Sequence, residues 1–199
     1  SHDAISTQTP ARDTGDPWGL ALGPGGPFGD DLFVVDFQGA ANQDPLVFTI
    51  DEINNVQVYV DNGTVWDGNE TSPQYLQFSN DFAGGTHLYV SDPIAGVIWR
   101  VEATPAVQSP PFADVGLEVP RGLSFGPGGV FGTDLYVYDS SDRAIKTVNE
   151  SGVVSDFATD LPLSDLKGEL EFSPAGDVLF LGSGDKLIRI EQTSALSAE

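Results

Sequence analysis

Four times along the chain, a short alternation of apolar and polar residues leads through a Gly/Pro-rich turn into a block that is apolar at consecutive positions. The alternations are Leu20 and Leu22, Leu76 and Phe78, Leu123 and Phe125, and Leu170 and Phe172. Their period of two predicts a first strand with one buried face. The blocks that follow, Leu32 to Val35, Leu88 to Val90, Leu135 to Tyr138 and Val178 to Leu181, are apolar on both faces, as a strand held between two layers requires. A third strand is predicted at Val47 to Ile50, Val97 to Val101, Ile145 to Val148 and Leu187 to Ile190, and a fourth at Val56 to Val60, around Phe112 to Val115, and at Val153 to Phe157. No stretch carries the 3.6-residue periodicity of a long amphipathic helix.

The same pattern returns as a repeat. The twenty residues from Pro17, PWGLALGPGGPFGDDLFVVD, reappear from Pro120 as PRGLSFGPGGVFGTDLYVYD. A looser copy begins at Pro73 and a degraded one at Lys167, so the successive offsets are 56, 47 and 47 residues. The first unit carries the extra length, in the acidic segment around Asn62 to Glu70. Four antiparallel strands in a period of this length are the arithmetic of a propeller blade. The expectation is therefore one all-β domain, a β-propeller of four four-stranded blades at about 17–66, 73–116, 120–158 and 167–191. In such a ring Leu20, Leu76, Leu123 and Leu170 occupy equivalent environments. The last unit stops at Glu191 without a fourth strand, leaving an edge to cover. By the same offset residues 3–9 fall where a closing strand belongs. Four blades either close as a small ring with a narrow channel or are half of a larger ring, an excised or engineered fragment that pairs with itself as a homodimer.

Composition narrows the partners. With 30 Asp and Glu against 8 Lys and Arg, the formal net charge of −22 repels phosphate backbones and anionic lipid. Nucleic acid and membrane insertion are set aside, and protein or glycan remains. Acid excess with only three lysines suits hydration in high salt, as in a marine or halophilic source. The absence of cysteine excludes disulfides and thiolate chemistry. Two histidines, His2 and His87, are too few for a zinc cluster, and no Ser-His-Asp set is apparent. The Gly-Pro-Gly-Gly runs at Gly23 and Gly126 precede neither a helix nor Gly-Lys-Ser/Thr, so they are turns and not phosphate loops.

The repeated motif, continued by SSDRAIKTVNESGVVSDFA, resembles the NHL-repeat, SMP-30/gluconolactonase-like and virginiamycin B lyase-like propellers. In lactonase-like members a divalent cation sits in the channel near the start of the first strands. The matching positions here are Trp18-Gly19, Gln74-Tyr75, Arg121-Gly122 and Gly168-Glu169, among which Glu169 offers a charged ligand and Gln74 a neutral one. As an enzyme, a metal-dependent lactone hydrolase or polysaccharide lyase, the chain would use Glu169, Gln74 and Arg121. The resemblance also fits a binding scaffold, secreted or at the cell surface, whose ring face recognises protein or glycan. Trp18, Tyr75 and Arg121 are its candidate contacts, since aromatics beside a cation suit a sugar or an anion. Glu169 and Glu171 flank Leu170 and so share the face opposite the core. Asp36, Asp92 and Asp139 recur after second strands, where a carboxylate caps the following turn. Calcium is the candidate ion, with Asp61 and Asp67, in the first unit's insertion, and Glu169 as its ligands.

Overall fold

The computed structural model describes residues 17–36, 46–53, 55–61, 72–79, 81–104, 106–163 and 167–192. Its elements are strands, apart from two single turns of 3-10 helix at Gly26–Phe28 and Gly129–Phe131, and no helix among the described residues is long and apolar enough to cross a membrane. Four antiparallel sheets follow one another along the chain. Blade one holds β1 (Pro17–Leu22), β2 (Leu32–Asp36), β3 (Leu46–Ile50) and β4 (Val56–Asp61). Blade two holds β5 (Tyr75–Phe78), β6 (Leu88–Asp92), β7 (Val97–Glu102) and β8 (Ala106–Val107). Blade three holds β9 (Pro120–Phe125), β10 (Leu135–Asp139), β11 (Ala144–Val148) and β12 (Val154–Ala158), and blade four holds β13 (Glu169–Phe172), β14 (Leu179–Ser183) and β15 (Lys186–Ile190). Each meanders outward from its first strand, the arrangement of a four-blade propeller. The expected closing strand at 3–9 and the insertion at 62–70 lie outside the described residues.

Blade two departs from the pattern at its outer edge. Instead of one strand around Phe112 to Val115, Ala106–Val107 pairs with the end of β7 and Ala113 forms a separate bridge to Ile98. Pro110 and Pro111 lie between, and a residue without an N–H cannot extend the ladder.

The core is divided among the junctions between blades. Each of the three junctions along the chain has the same aromatic triangle. Phe28, from the turn after β1, and Phe33, on β2, meet Phe78 of the next blade edge to face at 5.0 and 4.9 Å. Phe82 and Tyr89 meet Phe125 at 5.0 and 5.5 Å, and Phe131 and Tyr136 meet Phe172 at 5.0 and 5.1 Å. Such pairs contribute about 0.5–1.5 kcal/mol each beyond burial. The turn phenylalanine is delivered by unusual backbone: Gly25 and Gly128, at φ 82° and 93°, sit where only glycine is comfortable. Blade two delivers Phe82 from a different loop, in which Phe82 bridges Gly85 and Asp81 and Ala83 stand at φ 59° and 53°. The shorter turn of blade four presents no aromatic.

The expected equivalence of the first-strand leucines holds for three blades and fails for the first. Leu76, Leu123 and Leu170 are 5%, 6% and 4% exposed, whereas Leu20 and Leu22 are 69% and 72% exposed. Their pairing is not the cause, since Leu20 lies opposite Val34 just as Leu76 lies opposite Val90. The difference is coverage. First strands pack in succession, β1 on β5, β5 on β9 and β9 on β13, and among the described residues no comparable contact joins β13 back to β1. Three apolar clusters serve the three junctions within the chain, and among the described residues none joins blade four to blade one, although Val34 and Phe48, in the same row as Leu20, are buried.

Two outcomes follow. Leu76→Ala should cost roughly 2–5 kcal/mol in denaturant unfolding, as for a large-to-small change in a packed core, and Leu20→Ala at the equivalent position should cost under about 0.5 kcal/mol, as surface changes do. Second, burial pushes the hydroxyls of Tyr89 and Tyr136 up to about 12 from an ordinary 10. Between those pH values the unfolded chain gives up protons that the folded chain keeps, so stability falls as pH rises, by up to about 1.4 kcal/mol per pH unit for each tyrosine. Thermal melting from pH 9 to 12 should show this decline, shallower in a Tyr89→Phe, Tyr136→Phe double variant.

Candidate binding site at the channel mouth

The axial wall is made by β1, β5, β9 and β13, and two glycines let these strands approach. A Cβ on Gly19 would stand 2.7 Å from the Gln74 carbonyl oxygen, and one on Gly122 would stand 2.5 Å from that of Gly168. The Gly122 N–H donates to the same Gly168 oxygen at 3.0 Å. Blades two and four carry Tyr75 and Glu169 at the corresponding position. Side chains thus enter the axis from alternate blades at this level.

Backbone at this end is tied down by the recurrent aspartates. Asp92 is fully buried, and its Oδ1 accepts the N–H groups of Ser72, Ile94 and Ala95 while Oδ2 accepts from Trp99 Nε1. Burial raises its carboxyl above the usual range despite those donors. Asp139 accepts from Glu118, Val119 and Ser141 in the same way, with Lys146 Nζ 3.6 Å away. Each carboxylate joins the turn after a second strand to the segment that enters its own first strand. The turn-capping role expected of Asp92 and Asp139 is therefore correct, and it extends to that incoming segment. Asp36 is buried at the equivalent place, and Ser183 replaces it in blade four, donating to the Lys167 carbonyl at 2.5 Å.

Above this frame lies a cleft of about 700 Å³, lined by Trp18, Tyr75, Lys167, Glu169 and Lys186 together with Gly182 and Gly184. Trp18 and Tyr75 meet edge to face at 6.4 Å, and Lys167 Nζ sits 4.8 Å from the Trp18 ring centre. A narrower bore of about 120 Å³ follows the axial strands past Leu20, Leu123 and Leu170. It leads toward a second cleft of about 620 Å³, bordered by Asp81, Glu150 and Glu171. Glu169 and Glu171 are both exposed on one face of β13 as expected, and both line the bore, Glu169 at the end toward the first cleft and Glu171 at the end toward the second.

Of the candidates that the repeat positions pick out, Trp18, Tyr75 and Glu169 come together. Arg121 does not join the cleft lining: its guanidinium donates to Gln74 Oε1, while Gln74 Nε2 donates to Ser72 Oγ at 2.9 Å. That arrangement fits a divalent cation poorly, because the oxygen Gln74 would offer faces a guanidinium and the nearby charge is positive. Among the described residues no three His, Cys, Asp or Glu side chains converge on a point. Asp61 closes β4, and Asp67 lies outside the described residues. His87, just ahead of β6, places Nδ1 3.0 Å from Glu102 Oε2 and pairs through its backbone with Ser79 at the far end of β5, outside the lining of the cleft and the bore. The hydrophobic pattern gave no sign of Lys167 and Lys186 as site residues. For the first a signal was present: Lys167 holds the repeat position taken by Pro17, Pro73 and Pro120.

No protein-family model matches the chain, and no curated protein matches its sequence. Solved structures do match its fold. A protein of unknown function from Bacteroides caccae superposes with a TM-score of 0.60, covering 92% of this chain and 65% of its own, at 11% identity. A streptogramin B lyase gives 0.57, covering 94% and 58% at 14% identity, and a putative gluconolactonase gives 0.53, covering 79% and 56% at 17% identity. Identities this low establish the propeller fold, and function has to be argued from the site. The chain spans about three fifths of the length of these proteins.

Proposed function

We propose that the chain is a recognition module, secreted or displayed at a cell surface, that binds a glycan in the cleft formed by Trp18, Tyr75, Lys167, Glu169 and Lys186. The Trp18–Tyr75 corner carries this reading. An indole beside a phenol offers flat apolar area to a sugar ring, and flanking charged groups supply hydrogen bonds to its hydroxyls. The strong acidity supports an exposed, salt-rich setting. A lactone hydrolase or lyase at Glu169, Gln74 and Arg121 draws support from the fold neighbours alone, and the Arg121–Gln74 contact opposes the metal it would need.

Isothermal titration against a panel of neutral and uronic-acid tetrasaccharides is the direct test. At least one member should bind, and Trp18→Ala should weaken that binding 10-fold or more with unchanged thermal melting. Absence of binding across the panel would remove the glycan reading. Calcium is the proposed stabilising ion, supported by the density of oxygen donors at Asp61 and Asp67. Millimolar calcium should raise the melting temperature by several degrees relative to EDTA, through binding to the native state, and Asp61→Ala should abolish that increment. A shift lost instead in Glu169→Ala would relocate the ion to the channel.

A further inference from the structure

The cleft at the other end of the bore is built differently from the first. Its walls come from blades two, three and four, which two of the packed junctions join, and none of its described lining residues belongs to blade one. At one level of the axis, Gln77 of β5, Ser124 of β9 and Glu171 of β13 hold equivalent register positions, opposite Tyr89, Tyr136 and Phe180. All three line the cleft. Asp81, from the loop after β5, and Glu150, from the turn after β11, add exposed carboxylates from blades two and three to that of Glu171 on blade four. No Lys or Arg lines this cleft, and none of the three carboxylates forms an ion pair among the described residues.

In a chain with 30 acids such a grouping carries no weight alone. Ser124 is what sets it apart. Only 6% of this residue is exposed, yet its hydroxyl makes no hydrogen bond among the described residues. Period two turns it to the same side of β9 as Gly122, toward the axis. A buried hydroxyl left unpaired costs free energy that a donor entering the cleft recovers. The carboxylates fix the sign of that donor's charge, and their spacing fixes its shape. No three acids among the described residues converge on a point, so a compact ion meets them one at a time, whereas a chain with charges at intervals reaches several. Between them the lining is apolar, with half-buried Phe125 and exposed Pro127 and Pro174, which suits methylene groups and offers a ring face to an ammonium. We propose that this cleft binds a polyamine, an alkyl chain whose two or more ammonium groups donate to Ser124 Oγ and the Gln77 amide oxygen and pair with Asp81, Glu150 and Glu171. The site is separate from the glycan cleft and goes beyond the function proposed for that end of the axis.

Calorimetric titration with spermine in about 0.15 M NaCl, where distant surface charges are screened, should give one saturable site per chain. 1,4-Diaminobutane should bind more weakly, and magnesium at equal charge concentration should not displace spermine. Glu171→Gln should weaken spermine binding roughly 10-fold, as the loss of one charged hydrogen bond does. Glu52→Gln, the same change in the exposed turn after β3, should leave it unchanged. Ser124→Ala should weaken binding by about 3-fold or more while the free chain melts no lower, since the hydroxyl has no partner to lose. Trp18→Ala should leave the affinity as it is, which keeps this site apart from the glycan cleft. Absence of saturable spermine binding, displacement by magnesium, equal losses in Glu52→Gln and Glu171→Gln, or undiminished binding in Ser124→Ala would overturn the proposal.

Discussion

Everything in this fold turns on the contact between successive blades. A sheet that is apolar on both faces cannot stand alone in water, and here each blade's requirement is met by an aromatic triangle shared with the next. Phe28, Phe33 and Phe78 set the form, and Phe82, Tyr89 and Phe125, then Phe131, Tyr136 and Phe172, reproduce it within a fraction of an ångström in ring separation. The edge-to-face geometry fixes orientation as well as distance, since the positive edge of one ring seeks the negative face of another. Blades therefore stack with one sense of rotation, and the axis follows from that.

The axial end is organised by a second device. Buried carboxylates at Asp92 and Asp139 gather backbone N–H groups from two segments far apart in sequence. A hydrogen bond donated to a charged acceptor is stronger than one to a neutral acceptor, and abandoning it in the interior would strand donors from two loops at once. Side chains at the start of the first strands are held in place by this frame, which is how Trp18 and Tyr75 come to form a corner beside two lysines in a protein otherwise dominated by acids.

Most of the architecture was legible in the chain. Period-two alternation, the consecutive apolar blocks and the returned motif predict four sheets and nearly all their strands, because each signal is local. Coverage is not local. Leu20 reads like Leu76, Leu123 and Leu170, and only the missing neighbour makes it different. Blade two's broken outer edge was marked by Pro110 and Pro111 but outweighed by the apolar residues after them. At the site, repeat positions named Trp18, Tyr75 and Glu169. The placement of Arg121 depended on which partner its long side chain would choose, Gln74 or the aromatics, and spacing carries no information about that choice. Lys167 was hidden by the degraded copy of the motif in which it sits.

The alternation of Gly19, Tyr75, Gly122 and Glu169 around the axis has a modular implication. Each glycine-bearing blade is followed by one whose axial strand it touches backbone to backbone, so the smallest unit that satisfies these contacts is a pair of blades. Blades one and three also share the best-kept copies of the motif, identical at 13 of 20 positions and 103 residues apart. A chain of this kind grows or shrinks most easily by two sheets at a time, and grafting or deletion in units of a pair preserves the close approach that a single-blade change would place against a bulky side chain.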